Sequence, residues 1–200
     1  MKRGFLFVLS GPSGSGKTTI ASAVLKEPGI RGEVARSVSV TTRPRRNQEA
    51  QGKDYFFVSE GRFLRLRRAK KILEWTRYLG YYYGTLTRFV DATLGKGKSL
   101  LLCLDVRGAA AVSRRYPRQT VTIFVKTPSL GALKERIERR ACGMGQCELQ
   151  GRLARARREL CLAGHYDYTV VNRDLPRAVK RLAKIMVKTI NTSVPLRRHN

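Results

Sequence analysis

Gly11-Pro12-Ser13-Gly14-Ser15-Gly16-Lys17-Thr18 fits the pattern G-x-x-x-x-G-K-[ST], a loop whose backbone N–H groups wrap the phosphates of a nucleoside triphosphate. The flanks separate it from a merely glycine-rich turn. Phe5-Leu6-Phe7-Val8-Leu9 ahead of the loop reads as a buried strand, and Thr19 to Lys26 behind it reads as an amphipathic helix. Strand, loop, helix is the order the chemistry needs, because glycines let amides converge on phosphate oxygens and the helix N-terminus adds the positive end of its dipole. Lys17 is then placed to reach the β- and γ-phosphates, and the Thr18 hydroxyl to ligate Mg²⁺. A dinucleotide-binding turn fits less well, since Thr19 stands where the third glycine of G-x-G-x-x-G belongs.

Outward from the loop, strands and helices alternate. Ser37–Val40, Tyr55–Val58, Ile72–Arg77, Ser99–Asp105, Thr120–Lys126 and Tyr168–Val171 read as strands, with a polar basic loop at Thr41–Gln51. Gly61–Ala69, Leu86–Gly95, Arg107–Tyr116, Leu130–Arg140, Glu148–Leu162 and Pro176–Ile190 read as helices, and Asn191–Asn200 as a loosely ordered end. Unalternating apolar strands such as Leu100-Leu101-Leu102-Cys103-Leu104 point to a parallel sheet covered on both faces. The expected fold is α/β in three layers, a P-loop NTPase core with a strand-rich insertion from about 37 to 90.

Two hundred residues, 42% of them hydrophobic, suit one core with insertions rather than two independent domains. No apolar run reaches 18 residues, so no transmembrane helix is expected. Met1-Lys2-Arg3-Gly4 and its five apolar followers are too short for a signal peptide and run straight into the phosphate loop, which points to the cytoplasm. Cys103, Cys142, Cys147 and Cys161 show no disulfide framework, and no second close pair completes a zinc site around Cys142 and Cys147. The charge is +27, from 41 Lys and Arg against 14 Asp and Glu. Basic residues are spread along the chain, so the excess reads as compositional bias more readily than as a nucleic-acid footprint.

Within the insertion, several Arg and Tyr donors and the carboxylate of Glu74 come from separate loops and strands. Such a set suits a dianionic phosphate, which planar guanidiniums grip in bidentate pairs.

Five runs after the loop carry a resemblance: Ser37-Val38-Ser39-Val40-Thr41-Thr42-Arg43, Gly52-Lys53-Asp54-Tyr55-Phe56-Phe57-Val58-Ser59, Leu73-Glu74-Trp75, Tyr82-Tyr83-Gly84-Thr85 and Tyr166 to Leu175. In that order they resemble guanylate kinase, from about Phe5 to Ile190. The resemblance implies ATP and GMP as substrates, with Mg²⁺ held at Thr18. It implies a core at about 1–36, 91–135 and 153–200, a GMP-binding insertion at about 37–90, and a mobile lid at about 136–152. ATP would lie on Gly11, Ser13, Gly14, Ser15, Gly16, Lys17, Thr18 and Thr19, with Asn172 near the adenine. Arg43, Arg46, Tyr55 and Tyr83 would hold the GMP phosphate; Ser39, Glu74 and Thr85 would face the guanine. Asp105 would help to read the base or order Mg²⁺ through water. Lys17, Arg43, Arg136, Arg140 and Arg152 would be the catalytic cations, the last three closing from the lid. A phosphate acceptor is already ionised at neutral pH, so no general base is required and His165 and His199 need no role.

The chain departs from that family's usual D-x-D-x-Q-G, showing Cys103-Leu104-Asp105-Val106-Arg107-Gly108, with an expected cost in metal affinity or turnover. Pro44 and Arg45 exchange the usual order in T-T-R-x-P-R, the lid carries Cys142 to Cys147 where relatives are acidic, and Arg173 replaces an acid. Two competing readings are a non-catalytic module that binds a phosphorylated protein, and a P-loop kinase for another phosphorylated acceptor. The intact Gly16-Lys17-Thr18 argues against the first; Glu74, a carboxylate suited to adjacent N–H donors, argues against a sugar phosphate. Oligomeric state is not legible in the sequence.

Overall fold

Five strands run parallel in the order β2-β7-β1-β8-β9: β1 is Leu6–Ser10, β2 Val34–Arg36, β7 Ser99–Cys103, β8 Thr120–Lys126 and β9 Tyr168–Val171. The computed structural model describes residues 4–78, 80–140 and 146–192, without the side chains of 140 and 146–148. All five residues of β1 are buried, because the strand is central and both of its faces are covered. Phe5, Phe7 and Leu9 share one core cluster with Ile20 and Val24 of α1 (Lys17–Val24) and with Leu182, Ile185 and Met186 of α7 (Leu175–Thr192). Leu6 and Val8 share the other with Val90 of α3 (Thr87–Gly95) and Ala109 and Val112 of α4 (Val106–Arg115). Side chains alternate across a strand, so a strand apolar on both sides reads as a continuous hydrophobic run.

The second sheet has four strands in the order β4-β3-β6-β5: β3 is Ser39–Thr41, β4 Tyr55–Phe57, β5 Ile72–Tyr78 and β6 Tyr81–Leu86. β3 and β4 are parallel, the other two pairings antiparallel. Helix α2 (Glu60–Arg68), N-capped by Ser59 Oγ, covers one face through Phe63, which clusters with Val40 and Leu86. Helices α5 (Leu130–Arg140) and α6 (Gln146–Cys161) pack together through Leu133, Ile137 and Ala156, and a 3₁₀ turn follows at Leu162–His165.

The expected α/β architecture is observed, with corrections in detail. The single strand expected at Ser37–Val40 is two, since β2 pairs with β7 of the first sheet whereas β3 pairs with β4 and β6 of the second. β6 was not expected as a strand at all. The strand after Ser99 ends at Cys103, because Asp105 leaves the sheet to cap α4, its Oδ1 accepting from Gly108 N at 2.8 Å. Helix α1 begins at Lys17 rather than Thr19, and α7 runs on to Thr192, past the expected end. Residues 193–200, including His199, lie outside the described residues, as do Cys142 and the side chain of Cys147. Cys103 and Cys161 are free thiols. No helix among the described residues is long and apolar enough to cross a membrane.

Candidate active site

Three glycines set the loop between β1 and α1, with φ of +132° at Gly11, +87° at Gly14 and +92° at Gly16. A Cβ on Gly11 would lie 2.2 Å from the Val125 carbonyl oxygen, and one on Gly16 would lie 2.3 Å from Asn172 Nδ2. Both positions therefore need glycine for space as well as for backbone conformation. The close approach at Gly16 is a buttress: Asn172 Nδ2 donates to the Ser15 carbonyl at 2.8 Å, and Arg136 Nη2 donates to the Asn172 carbonyl at 3.1 Å. Asn172, directly after β9 and 6% exposed, thus ties the loop to the first sheet and to α5. Lys17 Nζ donates to the carbonyls of Gly11 at 2.6 Å and Pro12 at 2.9 Å, and so lies across the mouth of the loop. Thr18 and Thr19 are exposed on the first turn of α1, and Ser15 is buried.

Beside this loop opens a cavity of about 640 Å³. The phosphate loop lines it with Gly11, Ser13 and Lys17; the second sheet with Ser39, Tyr55, Glu74 and Tyr83; and α6 with Arg152, Arg155 and Glu159. Cys103 and Asp105 form part of its wall. Thr18, Ser39, Thr85 and Cys103 share a smaller cavity of about 80 Å³.

Glu74 is 8% exposed, and its Oε1 accepts from Thr85 Oγ1 at 2.6 Å. Burial pushes its carboxyl up to about 7, with Asp105 adding in the same direction and the Thr85 hydroxyl and backbone N–H opposing. Across the wall, Arg155 Nε donates to buried Glu159 at 2.8 Å, and its Nη2 stands 3.5 Å from Asp105 Oδ2. Burial lifts the Cys103 thiol to about 11 against the pull of Lys17 and Arg36, so at neutral pH it is an uncharged thiol where a carboxylate had been the usual residue.

The expected phosphate grip is gathered only in part along the cavity. Tyr55 and Tyr83 line it with ring centroids 6.0 Å apart, edge to face. Arg43 stands behind Tyr55, its guanidinium 5.4 Å from that ring's centroid, and Nη2 donates to Glu49 Oε1 at 2.6 Å and Oε2 at 2.9 Å. Glu49 also accepts from the Arg46 backbone N–H at 3.0 Å, and hydrogen bonding to Arg43 and Arg46 holds its carboxyl below the usual range. The Arg46 residue itself is exposed. Arg152 lies over the Tyr78 ring at 5.7 Å, and the side chain of Arg140 is outside the described residues. Arg155, Glu159 and Glu49 were not singled out from the sequence. Of their contacts only Arg155–Asp105 is remote in sequence; the i,i+4 spacing of Arg155 and Glu159 on a helix and the nearness of Glu49 to Arg43 are the local signals.

The phosphate loop and the buried Glu74 carboxylate line one cavity and so belong to one site. The family model for guanylate kinase matches residues 3–189. The chain belongs to the guanylate kinase family. It is 43% identical to the guanylate kinase of Thermotoga maritima over 92% of this chain and 86% of that one. It is 40% identical to that of Streptococcus thermophilus, over 92% and 87%. The crystal structure of guanylate kinase from Anaplasma phagocytophilum superposes with a TM-score of 0.73 at 32% identity, covering 93% of this chain and 86% of that one. The fold is thus that of a P-loop nucleoside monophosphate kinase, and the reaction is ATP-dependent phosphorylation of GMP.

Proposed function

We propose that the chain performs this transfer with a core, a GMP-binding subdomain at about 37–90 and a lid at about 136–152. The observation that carries the division of labour is the shared cavity, whose lining joins Gly11, Ser13 and Lys17 of the loop to Glu74, the acceptor of the Thr85 hydroxyl. In this reading the ATP phosphates lie on the amides of residues 11–19. Glu74 accepts from two adjacent donors on guanine, N1–H and the N2 amine, with Ser39, Thr85 and Asp105 completing the base contacts. Tyr55 and Tyr83 hold the GMP phosphate with Arg43 and Arg46, and Glu49 orients the Arg43 fork for that contact. Asn172 supports the phosphate loop directly, whatever it adds near the adenine.

Phosphoryl transfer leaves the protein little covalent chemistry, so catalysis is positioning and charge stabilisation. Lys17, Arg136, Arg140 and Arg152 supply cations around the transferring group. Mg²⁺ would be held by the Thr18 hydroxyl together with phosphate oxygens and water, and when bound it supplies charge neutralisation at those oxygens. The residues fit this mode: Thr18 is exposed at the loop, and among the described residues no cluster of three His, Cys, Asp or Glu competes to form an all-protein site. We place the protein in the cytoplasm as its working compartment. The test is GDP formation from ATP and GMP by wild type and Lys17→Ala. Loss of several orders of magnitude in kcat with GMP binding retained is expected; retention of more than about a tenth of kcat defeats the assignment.

A further inference from the structure

The two faces of the second sheet carry different chemistry. Glu74, Thr76 and Tyr83 line the cavity on one face. Trp75, Arg77 and Tyr82 alternate with them in the β5–β6 register and turn to the face that α2 covers. There the Arg67 guanidinium lies 4.7 Å from the Trp75 ring centroid, the Trp75 and Tyr82 rings are 5.8 Å apart, and the Arg77 guanidinium lies 5.4 Å from Tyr82. The result is a row of guanidinium, indole, phenol and guanidinium along β5, the edge strand of its sheet. Trp75 remains 43% exposed, so the row has an open π surface.

Beside it, α2 repeats arginine at Arg62, Arg65 and Arg68, three residues apart and all exposed, and exposed Lys70 and Lys71 follow. Glu60 is the sole acid from 60 to 71. Some basic side chains elsewhere are matched, as in Arg43–Glu49, Lys134–Glu138, Arg155–Glu159 and Arg177–Asp174. Among the described residues, Arg62, Arg65 and Arg68 form no ion pair. Like charges one turn apart repel, which a line of external anions relieves.

We propose that this face binds single-stranded nucleic acid, with phosphates along the α2 arginines and a base stacked on Trp75. The cations call for a polyanion, and the exposed indole favours one whose bases are free to stack, which a duplex does not offer. The surface faces away from the GMP cavity, so it is separable from phosphoryl transfer. Seven basic residues, Arg62, Arg65, Arg67, Arg68, Lys70, Lys71 and Arg77, gather here beside Trp75 and Tyr82.

The lone tryptophan makes the test direct. Titrating the full chain with a twenty-nucleotide oligoadenylate, in saturating ATP, is expected to quench Trp75 emission, whereas inorganic polyphosphate binds without quenching. The slope of log affinity against log salt is expected to fall by about 2 in the Arg62→Gln, Arg65→Gln, Arg68→Gln triple variant, at about 0.7 per phosphate contact, while GDP formation is unchanged. Should the triple variant not fold, Arg65→Gln alone is expected to lower the slope by about 0.7. Absence of quenching, an unaltered slope in the folded variant, or tighter binding of duplex or of phosphatidylserine vesicles than of the single strand overturns the proposal.

Discussion

Glu74 on β5 and Thr85 on β6 are direct cross-strand partners, and the Thr85 hydroxyl donates to Glu74 Oε1 at 2.6 Å. The bond fixes one carboxylate oxygen in a buried wall, while Gly108 leaves room for the other; a Cβ there would lie 2.9 Å from Oε2. A carboxylate held this way selects a ligand by the donors it brings, since leaving it unpaired in a dry site is costly.

Base choice follows. GMP is expected to exceed AMP by about 10⁴-fold in kcat/KM, in the range for sites that require a hydrogen-bond donor. Glu74→Gln is expected to lose most of that preference through weaker use of GMP, with the KM for ATP unchanged. Steady-state assays with both monophosphates check this, and unaltered GMP kinetics in the variant would show that the base is read elsewhere.

The same burial makes stability depend on pH. The Glu74 carboxyl is raised from an ordinary 4.5 to about 7 in the folded chain, so the folded state binds the proton more tightly. Stability is therefore highest, as far as this group is concerned, below about 4.5; it declines as pH rises towards 7 and stays reduced above. The full difference is about 3 kcal/mol, from 1.36 kcal/mol per unit. Chemical denaturation of wild type and Glu74→Gln from pH 4.5 to 8 is expected to show the variant gaining on wild type across that window. A pH-independent gap between the two would refute the linkage.

Asn172 and Gly16 are coupled by contact. Asn172→Ala removes the donor to the Ser15 carbonyl and is expected to raise the KM for ATP about tenfold, the loss of a buried hydrogen bond of 1–2 kcal/mol. Gly16→Ala meets both the Asn172 amide at 2.3 Å and a φ of +92°, so it is expected to abolish ATP binding. In the double variant the clash is relieved but the strain is not, so only partial recovery is expected. ATP-binding calorimetry on the three variants decides between these terms.

Arg155 links α6 to both Glu159 and Asp105. Its side chain is 55% exposed, so solvent screening limits each contact. Arg155→Ala is expected to raise the KM for GMP about fivefold, or about 1 kcal/mol, with little change in the KM for ATP. Arg155→Lys is expected to restore part of it. Equal effects on both nucleotides would mean a general loss of folding instead.

Local sequence determined the phosphate loop and the parallel core. Their signals are short-range: three glycines whose φ values the loop requires, a lysine and threonine at fixed spacing, and runs of consecutive apolar residues in strands covered on both faces. Tertiary structure decided what depended on a partner far along the chain. The boundary between Arg36 and Ser39 is set by which sheet each strand joins, one pairing with β7 and the other with β4 and β6. β6 carries a run of tyrosines whose strand preference becomes definite only once β3 and β5 flank it. Asn172 supports the loop across 157 residues, and Arg155 reaches Asp105 across 50. A hydrogen bond between groups so separated leaves no periodicity to read, because only the tertiary fold brings its partners together.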